Sequence, residues 1–161
     1  MTTAAALLIP PLSTLPKSPT PTPIPGFQRL SLPDHDQYGW RKQHAGGVPE
    51  AAYYHPHTVI HVHGNGIAEM LPPNPVAWTL ACAWSDQHLP YPLAGPVLIT
   101  GTENSHGTFI PLPAALAAQT ERITTAATGW WLDHLHLLFD WPLSPASPDY
   151  APAIALARDA M

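Results

Sequence analysis

Apolar and polar positions alternate most clearly over residues 57–71, HTVIHVHGNGIAEML. Val59, Ile60 and Val62 favour strand and Gly64-Asn65-Gly66 supplies a turn, so the segment predicts a β-hairpin. Two registers are open. A two-residue turn at Asn65-Gly66 pairs His61 with Met70. A three-residue turn with Gly66 left-handed pairs His61 with Glu69 and Ile60 with Met70. The second is preferred, because it puts Ile60, Val62, Ala68 and Met70 on one face and His61, His63 and Glu69 on the other.

The next segment, PPNPVAWTLACAWSDQH, opens with a helix start. Asn74 suits an N-cap and Pro75 the first helical position, which predicts a helix from Pro75 to about Gln87. It is apolar nearly all round, the pattern of a helix buried on most sides. The run GPVLIT at residues 95–100 predicts a central strand, and GTFIPL at 107–112 another. A helix is expected from Pro113 to about Thr128, with Gly129 capping or kinking it. A second helical pattern follows over 130–141, its apolar face being Trp131, Leu132, Leu135, Leu138 and Phe139. Residues 152–160 predict a last turn or two of helix.

Before the hairpin, Phe27–Leu32 alternates as a first strand, and residues 33–50 read as loop from their Asp, Gly and Pro content. Residues 10–25, PPLSTLPKSPTPTPIP, are of Pro/Ser/Thr low complexity. They predict an extended stretch, either a docking motif for a proline-binding module or, as preferred here, a solvated leader. The expected fold class is α+β: a small antiparallel sheet packed against two or three helices. A disordered Pro-rich N-terminal tail is expected over residues 1–26, and a single domain over 27–161.

Composition narrows the function classes. The 161 residues include 22 prolines, which argue against long regular elements, and only 11% charged residues. Net charge is −5 and the six Lys and Arg residues do not cluster beyond Arg41-Lys42, so no nucleic-acid partner is expected. Ten histidines would reverse the sign of the charge in mild acid. The single cysteine, Cys82, allows no intrachain disulfide and sits in the apolar helix as an inert thiol. No run of 18 apolar residues occurs, so no membrane partner is expected. Residues 4–9 lack the basic flank of a signal peptide, which leaves a cytoplasmic location as the default.

Candidate chemistry centres on histidine. His55, His57, His61 and His63 share one parity, and residues two apart on a strand lie about 6.6 Å apart. With Glu69 across the hairpin, His61 and His63 make a candidate site for a divalent transition metal. The pattern loosely resembles the first motif of cupin barrels, without the preceding glycine or a second motif. The alternative is a polar strand face that happens to use histidine. Asp133, His136 and Asp140 share a helical face, which reads as its solvated side. His106-Gly107-Thr108-Phe109 matches one copy of the His-x-Thr signature of two-histidine phosphoesterases, which need two. Of the adjacent Trp130 and Trp131, one is expected at the surface or in an interface.

The order of HVHGNGIAEMLPPNPVAWTLACAW, LAGPVLITG and GTFIPLPAALA, over about residues 57–118, resembles a family of phage and mobile-element domains of unknown function. The resemblance implies a small α+β fold and an accessory role, and no catalytic residue. The functional expectation is a binding or regulatory module working through a protein partner or a homo-oligomer, with no cofactor. The alternative is a metal-dependent enzyme built on His61, His63 and Glu69.

Overall fold

A computed structural model describes residues 6–12 and 27–161. Five strands, β1 (Ala6–Ile9), β2 (Gln28–Leu30), β3 (Pro49–His55), β4 (Thr58–His63) and β5 (Val97–Thr100), form one antiparallel sheet in the order β2-β1-β5-β4-β3. Four α-helices accompany it: α1 (Gln37–Ala45), α2 (Pro75–Ser85), α3 (Ala114–Asp133) and α4 (Ala151–Asp159). The fold is α+β.

Strand alternation gives the sheet two unlike faces. Leu7 and Ile9 of β1, Ile60 of β4, and Val97 and Ile99 of β5 join α2, α3 and α4 in one apolar core. Its centre is aromatic. Trp78 meets Trp141 edge-on at 5.4 Å, and Trp131 stacks on Tyr150 at 5.7 Å, all four being almost wholly buried. The Trp131 indole N–H donates to Thr79 Oγ1 at 2.9 Å, and that hydroxyl donates to the Pro75 carbonyl at 2.7 Å. The opposite face carries His61 and Thr100 and is covered by α1, which packs on β3, β4 and β5.

Local chemistry explains α2. Asn74 is fully buried, and its Oδ1 accepts the Ala77 N–H at 3.1 Å as an N-cap. Its amide nitrogen donates to the carbonyls of Ile9 and Gly95, both at 2.9 Å. One side chain thus starts the helix and fastens it to the ends of two strands.

Five expectations need correction. Of the tail expected over residues 1–26, residues 1–5 and 13–26 lie outside the described residues. Residues 6–12 are described, and 6–9 form β1, paired on both sides, with Leu7 and Ile9 fully buried. Pro10 and Pro11 end the strand by withholding N–H donors. Residues 33–50, read as loop, contain α1 and the start of β3. The polar α1 closes at Gly46, whose φ of 84° is the left-handed conformation glycine tolerates and whose N–H donates to Lys42 O.

The hairpin lies one element earlier than expected. Pro56 and His57 turn the chain, so β4 pairs with β3, in the register Ala51 to His61 and Pro49 to His63, and on its other edge with β5. Residues 64–70 form successive turns closed by Glu69 N–H to Asn65 O and Leu71 N–H to Gly66 O, both at 2.9 Å. The left-handed residue in this loop is Met70, with φ 57°, and not Gly66.

The fourth concerns α3, which runs through Gly129 to Asp133 and then breaks into short 3₁₀ turns at 135–137 and 141–143. The single helical phase expected over 130–141 is therefore lost. Trp131 is buried, whereas Leu132, Leu135 and Phe139 are exposed. Residues 107–112 form no named strand. They fold back on 101–104 through Gly101 N–H to Ile110 O and Ile110 N–H to Thr102 O, both 2.9 Å, with one bridge between Glu103 and Phe109.

Candidate functional site

The face under α1 holds a directional chain of polar contacts. The Arg41 Nε–H donates to His61 Nδ1 at 2.9 Å. An arginine Nε can only donate, so Nδ1 is the acceptor and the imidazole proton sits on Nε2. Nε2 then donates to Thr100 Oγ1 at 2.8 Å, and the threonine hydroxyl donates to the Gly101 carbonyl at 2.8 Å. Burial, and next to it the charge of Arg41, push the His61 pKa down to about 3, so the ring is neutral at ordinary pH.

Phe109 closes this chain from the side. Its ring meets His61 edge-on at 4.6 Å, and the Arg41 guanidinium lies over it at 4.6 Å. Gln37, one helical turn before Arg41, holds the Phe109 backbone in both directions. It accepts the Phe109 N–H at 2.8 Å and donates to the Phe109 carbonyl at 3.0 Å. Helix α1, strands β4 and β5, and the 101–110 loop each contribute one part of the assembly.

The three residues expected to share a metal do not come together in that way. Glu69 meets His63, with Oε2 at 2.9 Å from Nε2, and not His61. His63 Nδ1 accepts the Asn65 N–H at 3.0 Å. Both ring nitrogens of His61 are taken, one by a cation. Among the described residues no three His, Cys, Asp or Glu side chains are grouped to hold a metal ion. The His63 ring also lies against Gly47, where any Cβ would run into it. The expected parity of His61 and His63 is right. Glu69 reaches His63 from the turn loop and not from a paired strand.

The other candidates fall apart more simply. His55 and His57 are neighbours at the β3–β4 turn, and His55 Nδ1 accepts the His57 N–H. Asp133, His136 and Asp140 are exposed, and the helix that was to align them ends at Asp133. His106 and Thr108 sit on an exposed turn, their N–H groups both accepted by Asn104 Oδ1. Cys82 is buried, and its thiol is pushed up to about 12 by that burial, so it is no nucleophile.

Two surface features were not anticipated. A groove of about 550 Å³ runs between β3, β4 and the 64–68 and 91–94 segments, lined by Glu50, Tyr54, Val62, Ile67, Tyr91 and Leu93. The hydroxyls of Tyr54 and Tyr91 meet across it at 2.7 Å, and burial raises the Tyr54 pKa. The second is an apolar ridge where α3 gives way to the 3₁₀ turns. Leu132 and Leu135 are about half exposed, Phe139 is 86% exposed and Leu143 85% exposed. Trp130 is half-buried beside it, stacked on His134 at 4.0 Å.

No family model, curated protein or solved structure matches the chain.

Proposed function

We propose that the protein is a small non-catalytic binding module that works through protein contacts made by the Leu132–Leu143 ridge. The exposure of Phe139 and Leu143 carries this reading. Covering a large apolar side chain contributes about 1.5–3 kcal/mol, and two such side chains left bare four residues apart offer apolar surface to a partner. The simplest partner is a second copy, since one self-complementary patch closes a two-fold dimer. The motif resemblance over residues 57–118 supports an accessory role of the mobile-element kind. The chemistry of the histidines supports the non-catalytic part. Both nitrogens of His61 and of His63 are already bonded, so neither ring is free to act as a base or as a metal ligand.

Sedimentation velocity from micromolar to near-millimolar protein tests the reading. The expected result is a concentration-dependent dimer that the Phe139→Ser, Leu143→Ser double variant abolishes. A chain that stays monomeric throughout, or a dimer that survives both substitutions, overturns it.

A further inference from the structure

A cation leaving water needs compensation, and in folded proteins the usual source is a carboxylate beside it. Arg41 is partly buried, and burial lowers its pKa. Yet its one hydrogen-bond partner among the described residues is a neutral imidazole. The ion pairs among the described residues are Arg29–Glu121, His63–Glu69 and Arg158–Asp86. Glu103 acts on the Arg41 charge from a distance, without an ion-pair contact. Among the described residues the guanidinium thus hydrogen-bonds through its Nε alone, and the four N–H groups of its two η nitrogens have no hydrogen-bond or ion-pair partner there.

That hold is firm. His61 is fully buried and locked by Thr100, and Phe109 backs the guanidinium plane and is itself fixed by Gln37. Most of the ordering an arginine undergoes on capturing a ligand is already done in the fold. Tyr38 is one helical turn before Arg41. Tyr53 lies two residues beyond Ala51, which pairs with His61, within the 52–55 stretch where the β3–β4 register shifts. Both tyrosines are more than half exposed, and both hydroxyls bear on the field at Arg41.

We propose that Arg41 is the receptor for an oxyanion group, a carboxylate or a phosphate, on a ligand whose apolar body rests against Tyr38 and Tyr53. The η nitrogens of a guanidinium match two oxygens of such a group in a fork, which a lysine cannot do. His61 is a positioning residue here. A carboxylate in its place would hold Arg41 equally well but would already neutralise it. A neutral acceptor fixes the cation and leaves its charge to the ligand. The site lies on the α1 face and owes nothing to the C-terminal ridge, so either proposal survives failure of the other.

The test uses the full chain, labelled with ¹⁵N, and follows the Arg41 Nε–H resonance, which the His61 contact should keep slow to exchange. Sodium acetate, inorganic phosphate and sodium chloride are titrated separately at constant ionic strength. The expected result is a saturable shift with acetate, phosphate or both, and none with chloride. Which of them saturates identifies the head group. The absence of saturation with either oxyanion overturns the proposal. Arg41→Lys keeps the charge and loses the fork. Thermal unfolding with and without the active anion should show its apparent affinity reduced about tenfold or more. An unchanged affinity in that variant would reduce the effect to general charge attraction and also overturn the proposal. Glu103→Gln removes the carboxylate that already acts on the Arg41 charge and should tighten binding. Weaker binding in that variant would place the anion elsewhere.

Discussion

Strand β4 divides the molecule into two regimes one residue apart. Ile60 points into a core where Trp78, Trp131, Trp141 and Tyr150 interlock, and His61 points into a chain of named donors and acceptors. The apolar side is non-directional. Its stabilisation grows with area removed from water and tolerates small shifts. The α1 side buries fewer apolar groups and depends on orientation, because each of Arg41, His61 and Thr100 fixes the proton of the next. The first side holds the fold together, and the second sets one cation in place. Substitutions on the two sides should therefore differ in size and also in what they change.

The largest effect is expected in the aromatic core. Trp131→Ala should cost about 3–5 kcal/mol, since it empties the contact with Tyr150 and Trp141 and also leaves Thr79 without its donor. Chemical denaturation of the full chain measures this. A cost below about 1 kcal/mol would mean that the helices are not packed around this residue. Next in size is Asn74→Ala, at about 2–4 kcal/mol. It removes an N-cap and strands two buried carbonyls, those of Ile9 and Gly95. Asn74→Asp separates the two roles, because it keeps the cap acceptor and loses both donors. It should recover only part of the loss.

The polar face should show itself through pH. In the unfolded chain His61 titrates near the usual value of about 6.5. In the folded chain burial and Arg41 hold it near 3. Between those values the unfolded state binds a proton that the folded state does not. The contribution of His61 is thus complete above the unfolded pKa and is lost as pH falls from about 6.5 toward 3, with a slope of up to about 1.4 kcal/mol per pH unit. His44 and His55 are shifted in the same direction by burial, so the total slope is shared. His61→Gln, which offers Arg41 an acceptor and Thr100 a donor without titrating, isolates the part due to this ring. Stability measured at pH 7 and pH 5 should fall less in the variant than in the parent. Equal falls would show that His61 is open to solvent.

What could be read from the sequence follows the same division between local and assembled chemistry. The start of α2 was legible because Asn74 and Pro75 act on backbone groups within a few residues, and the central strand because GPVLIT is apolar on both faces. Strand β1 was hidden by the prolines that follow it. Its evidence is a pairing partner some ninety residues away, which no local window contains. Helix α1 was hidden because QYGWRKQHA is polar and holds a glycine, and its stability comes from what Gln37 and Arg41 reach across the fold. The Gly46 stop was a usable local signal, since glycine past a run with Lys42 and His44 in its last turn marks a helix end. For the histidines, alternation correctly placed His61 and His63 on one face. Their separate partners, Arg41 and Glu69, depend on a helix read as loop and a loop read as strand.

The smallest effect on stability should come from the ridge. Phe139 and Leu143 have little contact with the core to lose, so replacing both with serine should move the stability of the isolated chain by no more than about 0.5–1 kcal/mol. Loss of apolar surface from water-exposed positions can even raise the apparent solubility. The same pair should nevertheless control self-association. The ridge is thus the counterpart of the Trp131 core: similar side chains, large in their effect when covered within one chain and silent there when not. Denaturation and sedimentation on the same double variant make the distinction. A loss of several kcal/mol together with loss of the dimer would show that the ridge belongs to the fold and not to an interface.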